Sequence, residues 1–200
     1  KTFSDITLLV FYIICPIMIF LALVGEPLFI VILTEKWLPA VPYFQLLAIS
    51  SIVYPLSIYN LNIILVKGRS DLVLKMEFIK KGISVLFLLL IFPFGIWGVI
   101  YAQSISMFIH FSVNIYYCNK LLKFNIKKQF FDLTTIILLS CFIAFLTYLI
   151  NILIINIFFK NNFLIILLNF IFYFLLYYFI SKLLKFKVLG KLNVLVKSFL

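Results

Sequence analysis

Apolar residues run along this chain in blocks of about twenty, each long enough to cross roughly 30 Å of hydrocarbon as a helix. The blocks predict six spans, at 6–33, 42–66, 72–92, 96–122, 131–158 and 163–184. The first contains Pro16, Gly25 and the pair Glu26-Pro27. Such residues are tolerated in membrane helices, so the reading is one long helix, kinked or broken, with Pro16, Gly25 and Pro27 as hinge candidates. Pro55 interrupts the second span, frees a backbone carbonyl one turn earlier and is a fourth hinge candidate. Lys67-Gly68-Arg69-Ser70-Asp71 is a turn, with glycine as the breaker and Ser70 or Asp71 available as the next cap. The third helix starts amphipathic, and its lysines are expected to snorkel to the headgroups. Pro93-Phe94-Gly95 and Asn161-Asn162 mark two further turns. The segment 185–200 repeats lysine among apolar residues, as a cytoplasmic or membrane-surface tail does.

Composition settles the class. Hydrophobic residues make up 66% of the 200 and charged residues 12%, against about half and a quarter in soluble domains. The chain is therefore expected to be an all-α, polytopic membrane protein with a helical bundle over 1–184. A formal charge of +11 raises the question of nucleic acid, but the lysines cluster at the ends of the apolar blocks, so they report topology and no nucleic-acid partner is expected. Region 67–81 carries five basic and two acidic residues, 120–128 four basic and none acidic, and 182–197 five basic. The intervening turns carry almost none. The positive-inside rule makes all three regions, and both chain ends, cytoplasmic. Cys15, Cys118 and Cys141 are isolated, which supports neither a disulfide nor a metal site, and no cofactor is expected. The chain opens on Lys1 with no initiator methionine or signal peptide, so an upstream part is expected to be missing.

Polar residues inside the apolar blocks carry the candidate chemistry, because hydrocarbon is a costly place for them. At 100° per residue Gln103, Ser106, His110, Asn114 and Tyr117 fall within about an 80° arc of the fourth span. Ser51, Tyr59 and Asn62 share a side of the second, with Gln45 at its edge. These nine are the substrate-path candidates, and ordinary polar helix packing is the alternative for each. His110 is the only histidine and a candidate for proton coupling, against the plainer reading of a neutral imidazole bonded to a neighbouring helix. Glu26 beside Pro27 is the second coupling candidate, against local capping or interfacial solvation. Lys67, Arg69, Lys80 and Lys81 are candidates for phosphate or headgroup contacts, against a purely topological role. Asn169, Tyr173, Tyr177 and Ser181 form an i, i+4 line on the last helix that suits an interface. Asp71 is expected to cap a helix. No catalytic loop, phosphate-binding loop or carboxylate pair is present, so an enzyme is not expected. Polar stripes with interrupted helices fit a transporter better.

The strings Gly25-Glu26-Pro27-Leu28, Thr34-Glu35-Lys36-Trp37-Leu38-Pro39-Ala40-Val41-Pro42, Tyr54-Pro55-Leu56 and Asn60-Leu61-Asn62 form part of a longer ordered pattern. It continues through Val66-Lys67-Gly68-Arg69-Ser70-Asp71-Leu72, Leu74-Lys75, Glu77 and Lys80-Lys81 to Pro93-Phe94-Gly95. This series resembles the carboxyl-terminal part of bacterial polysaccharide and O-antigen flippases, in the branch of colanic-acid-exporter-like lipopolysaccharide biosynthesis proteins of the multidrug/oligosaccharidyl-lipid/polysaccharide exporter superfamily. The resemblance implies a bacterial inner-membrane transporter of about fourteen helices in two lobes, with this chain as most of the second lobe and the amino-terminal lobe as its partner. It implies alternating-access flipping of undecaprenyl-pyrophosphate-linked oligosaccharides, with other membrane lipids around it. The alternatives are an exporter of another amphipathic substrate in that superfamily, or a membrane-enzyme or structural component. From 120 onward the chain matches only as generic apolar helices.

Overall fold

The computed structural model describes residues 2–155 and 161–184, and all regular structure among them is helical. α1 (Thr2–Leu23) and α2 (Gly25–Leu33) lead through a 3₁₀ turn, Glu35–Ala40, into α3 (Val41–Ser50). A second 3₁₀ turn, Ser51–Val53, joins α3 to α4 (Tyr54–Val66). α5 (Ser70–Ile91), a 3₁₀ turn at Phe92–Phe94 and α6 (Gly95–Leu122) follow. α7 (Ile126–Ile150) runs on into a π turn at Asn151–Ile155, and α8 (Asn162–Leu183) closes the described chain.

Among the described residues five helical stretches are long and apolar enough to cross a membrane, which makes this a multi-pass membrane protein. One of them, Ser70–Leu122, has 53 residues and would be about 80 Å long if straight, far more than one bilayer needs. It folds back at Phe92–Phe94, so that α6 packs along α5 and His110 meets Ser84. Gly98 makes the reversal tight, because a Cβ there would collide with the carbonyl of Ile91. The fourth stretch starts at Ile126, earlier than the expected 131, because Asn125 caps it by accepting from the amide of Lys128 at 3.0 Å. The end of the expected span 131–158 and the tail 185–200 lie outside the described residues.

Pro27 and Pro55 break the helices where their missing N–H dictates. Pro27 leaves the carbonyl of Leu23 without its helical donor, and the chain divides at Val24 into α1 and α2. Gln45 of α3 reaches across that break and donates to the carbonyl of Ala22 at 3.0 Å. Pro55 orphans the carbonyl of Ser51 in the same way. The amide of Tyr54 takes it one residue early, which is why Ser51–Val53 tightens into 3₁₀ geometry. Pro16 does not break α1. The carbonyl of Tyr12, four residues before it, accepts instead from the hydroxyl of Tyr177 on α8 at 3.0 Å.

At the end of α4, Gly68 takes φ +72° and closes a Schellman motif, with Arg69 N–H on Ile64 and Gly68 N–H on Leu65. The next helix starts at Ser70 without a side-chain cap. The expected cap, Asp71, instead accepts two bonds of 2.9 Å from the Arg69 guanidinium. Asn161 does cap α8, accepting from Phe163 N–H at 2.9 Å.

The main core lies between α1, α7 and α8, around Phe11, Cys15, Phe20, Ile136, Ile143 and Tyr173. A second, smaller cluster of Ile64, Met76 and Cys118 ties the end of α4 to the start of α5 and the end of α6. Side-chain pairs fix the helix directions. Ser51 with Met107 and Ser57 with Asn114 make α4 and α6 parallel. Tyr12 with Tyr177 and Phe20 with Phe170 make α1 and α8 antiparallel. The basic turns at Lys67–Arg69 and Lys120–Lys128 and Lys182 at the end of α8 consequently share one end of the bundle. The opposite end carries the Glu35–Ala40 and Phe92–Phe94 turns, with Trp97 against Tyr43 at 4.5 Å between ring centroids.

Candidate functional site

The densest mixture of charge and amide groups inside the bundle lies between α4, α5 and α6. α5 presents Met76, Lys80 and Ser84 at i, i+4 spacing towards α6, and Lys80 is only 4% exposed. Its ammonium pairs with Glu77 one turn earlier, whose side chain is 36% exposed. An ionised lysine excluded from solvent needs such a partner. Nε2 of His110 lies 2.9 Å from the Ser84 hydroxyl and 3.4 Å from the carbonyl of Lys80. A carbonyl only accepts, so a proton on Nε2 serves both contacts.

On the other flank of α6, Asn114 donates through Nδ2 to both the carbonyl (2.9 Å) and the hydroxyl (2.7 Å) of Ser57 on α4. Its Oδ1 has no protein partner, and neither polar atom of the fully buried Asn60 has one. Asn60 lies one turn beyond Ser57, towards the end where the Ile64–Met76–Cys118 cluster forms. The sector thus holds an internal ion pair, a histidine–serine contact and two asparagines with donor or acceptor capacity unspent by the protein.

The nine substrate-path candidates do not line one wall. His110 and Asn114 belong to the sector, and Ser106 is buried on the same helix. Tyr117 packs against the Ile64–Met76–Cys118 cluster. Ser51 donates to Met107 Sδ at 3.8 Å, Gln45 serves the α1–α2 break, and Tyr59 is half-buried. Gln103 and Asn62 are exposed, as is Glu26 in the first turn of α2, where a helix N-terminus favours a carboxylate. Lys67, Arg69 and Lys81 are exposed, in contrast to Lys80.

No protein-family model, no curated protein and no solved structure matches the chain. What the sector does is therefore argued from its own chemistry. Among the described residues no group of three or more His, Cys, Asp and Glu gathers as a metal site. The sector offers buried hydrogen bonding and an internal charge pair on helices whose ends are tight turns and proline breaks.

Sequence reasoning passed over three of its members. Ser57 and Asn60 stand at i, i+3 and continue the buried line Ser50, Val53, Ile64, a period-3.6 signal masked by the more numerous polar residues at 51, 59 and 62. Ser84 sits alone in an apolar run and was silent without its partner. On α8 the line Asn169, Tyr173, Tyr177 and Ser181 is buried throughout, as an interface requires.

Proposed function

We propose that this chain is the carboxyl-terminal part of a bacterial inner-membrane flippase that moves undecaprenyl-pyrophosphate-linked oligosaccharide units to the outer leaflet by alternating access. One observation carries the reading. The residues that make up the family-like series coincide with the interruptions of the helices. Gly25-Glu26-Pro27 opens α2 at the α1–α2 break, Thr34 to Ala40 spans the 3₁₀ turn, and Tyr54-Pro55 follows the second 3₁₀ turn. Gly68-Arg69 forms the Schellman turn and Pro93-Gly95 the hairpin. Interrupted helices around polar groups are the equipment of transporters that rock between two states.

In this reading α5 and α6 each cross the bilayer, giving six spans with the basic end and both chain ends in the cytoplasm. These spans form most of one lobe of a two-lobed transporter of about fourteen helices. Glu26 and His110 are the coupling candidates. Lys80, paired with Glu77, is the basic side chain buried within a span among the described residues. The activity is transport, not catalysis.

The test is translocation of a fluorescent undecaprenyl-pyrophosphate-linked glycan in proteoliposomes holding the full-length protein, compared with Glu26→Gln and His110→Ala. Protein-dependent flipping supports the reading, and its loss in a folded variant assigns that residue to coupling. No flipping across several glycans and imposed ion gradients sinks it and favours an exporter of a different amphipathic substrate.

A further inference from the structure

The basic end of the bundle has a composition that charge-based topology does not require. The Ile64–Met76–Cys118 cluster, with Leu72, Leu122 and Phe124 packed on it, draws the α4–α5 and α6–α7 turns together. The two acids of the first turn region are spent, Asp71 on Arg69 and Glu77 on Lys80. Lys67, Lys75, Lys120, Lys123, Lys127 and Lys128 are all exposed, and none is ion-paired among the described residues. Large apolar side chains stand exposed between them: Leu74 at 62%, Phe78 at 72% and Phe131 at 74%. A purely water-facing basic surface has no use for phenylalanines, and a purely lipid-facing one has no use for six lysines. The combination matches the level in a bilayer where acyl chains end and phosphates begin.

We propose that this end is a binding surface selective for anionic phospholipid headgroups. The lysines of the two turns hold lipid phosphates, while Phe78 and Phe131 sit among the upper acyl carbons. The inference does not depend on the transport reading, since it concerns which lipids surround the chain rather than what the chain moves. Lysines at a membrane surface each add a modest, salt-screened attraction, so the effect comes from their number and closeness.

The experiment is electron spin resonance of the full chain in phosphatidylcholine bilayers, doped in turn with spin-labelled phosphatidylglycerol and spin-labelled phosphatidylcholine. The motionally restricted fraction is expected to favour phosphatidylglycerol by about three- to ten-fold and to fall towards parity at about 1 M salt. Lys120→Gln/Lys123→Gln/Lys127→Gln/Lys128→Gln should lose most of the preference with unchanged helical circular dichroism. Lys36→Gln, at the opposite end, should keep it. Equal restriction of the two lipids by the unaltered chain overturns the proposal, as does a quadruple variant that retains full selectivity. Loss of selectivity on adding inorganic phosphate at constant ionic strength overturns it too, by assigning the lysines to a free anion.

Discussion

In the core of α1, α7 and α8 three hydroxyls close on backbone carbonyls, while both polar atoms of Gln129 and Oδ1 of Asn169 have no protein partner. Ser140 and Thr147 each donate to a carbonyl one turn back on α7 at 2.9 Å, and Tyr177 meets the carbonyl that Pro16 leaves open on α1. In the α4–α5–α6 sector the polar groups are amides, an imidazole and an ion pair, and part of their capacity has no protein partner. In the first arrangement Ser140 and Thr147 satisfy their own hydroxyls within α7, and Tyr177 joins α8 to α1 by answering a carbonyl that Pro16 leaves open. The second spends free energy to keep the Lys80 ammonium and the amides of Asn60 and Asn114 away from solvent. The contrast is one of charge, since among the described residues the buried charged side chain, Lys80, belongs to the α4–α5–α6 sector.

The largest expected effect breaks the sector at its ion pair. Glu77→Gln leaves the ammonium of Lys80, 4% exposed, without its counter-charge, and should destabilise the fold by about 3 kcal/mol. Glu77→Gln/Lys80→Met should regain most of that loss, because the cost is an unpaired buried charge and not a missing attraction. Unfolding in mixed micelles reads both. If the single variant is as stable as the parent, Lys80 reaches water without Glu77 and the pair is not an internal feature.

A somewhat smaller effect tests packing. Ile143, fully buried in the main core, should cost about 2.5 kcal/mol when cut to Ala. Leu89 on α5, 68% exposed, should cost less than about 0.5 kcal/mol under the same treatment. Equal losses in the same unfolding measurement would mean that α5 is packed as tightly as α7 and that the contrast between the two regions is false.

Much of this was readable in advance where the physics is local. Apolar runs of span length, the glycine at 68, the asparagine at 161 and the prolines at 27 and 55 act through their own backbone, so the breaks and turns were legible from the residues alone. The buried line of tyrosines on α8 was legible by period. What was not legible depended on partners far away in the chain. Lys80 looked like its neighbours Lys75 and Lys81, and only the packing of α6 separates it from them. Asn60 differed from Asn62 only by its place on the line Ser50, Val53, Ser57 and Ile64, and setting α4 against α6 made that place decisive. Asp71 looked like a cap until Arg69 claimed both of its oxygens.

The smallest effect sharpens the core side of the comparison, because it asks whether Tyr177 is bonded there for the reason given. Pro16 has no N–H, so the carbonyl of Tyr12 depends on the tyrosine hydroxyl at 3.0 Å. Tyr177→Phe should cost about 0.6–1 kcal/mol, the usual worth of a hydrogen bond between membrane helices. In a Pro16→Ala background the new amide of residue 16 can serve that carbonyl from within α1, so the same tyrosine change should cost close to nothing. The coupling in the four-variant cycle should be about 0.6 kcal/mol. An equal cost in both backgrounds would show that the Tyr177 hydroxyl contributes through a partner other than that carbonyl, and that the proline was accommodated without it.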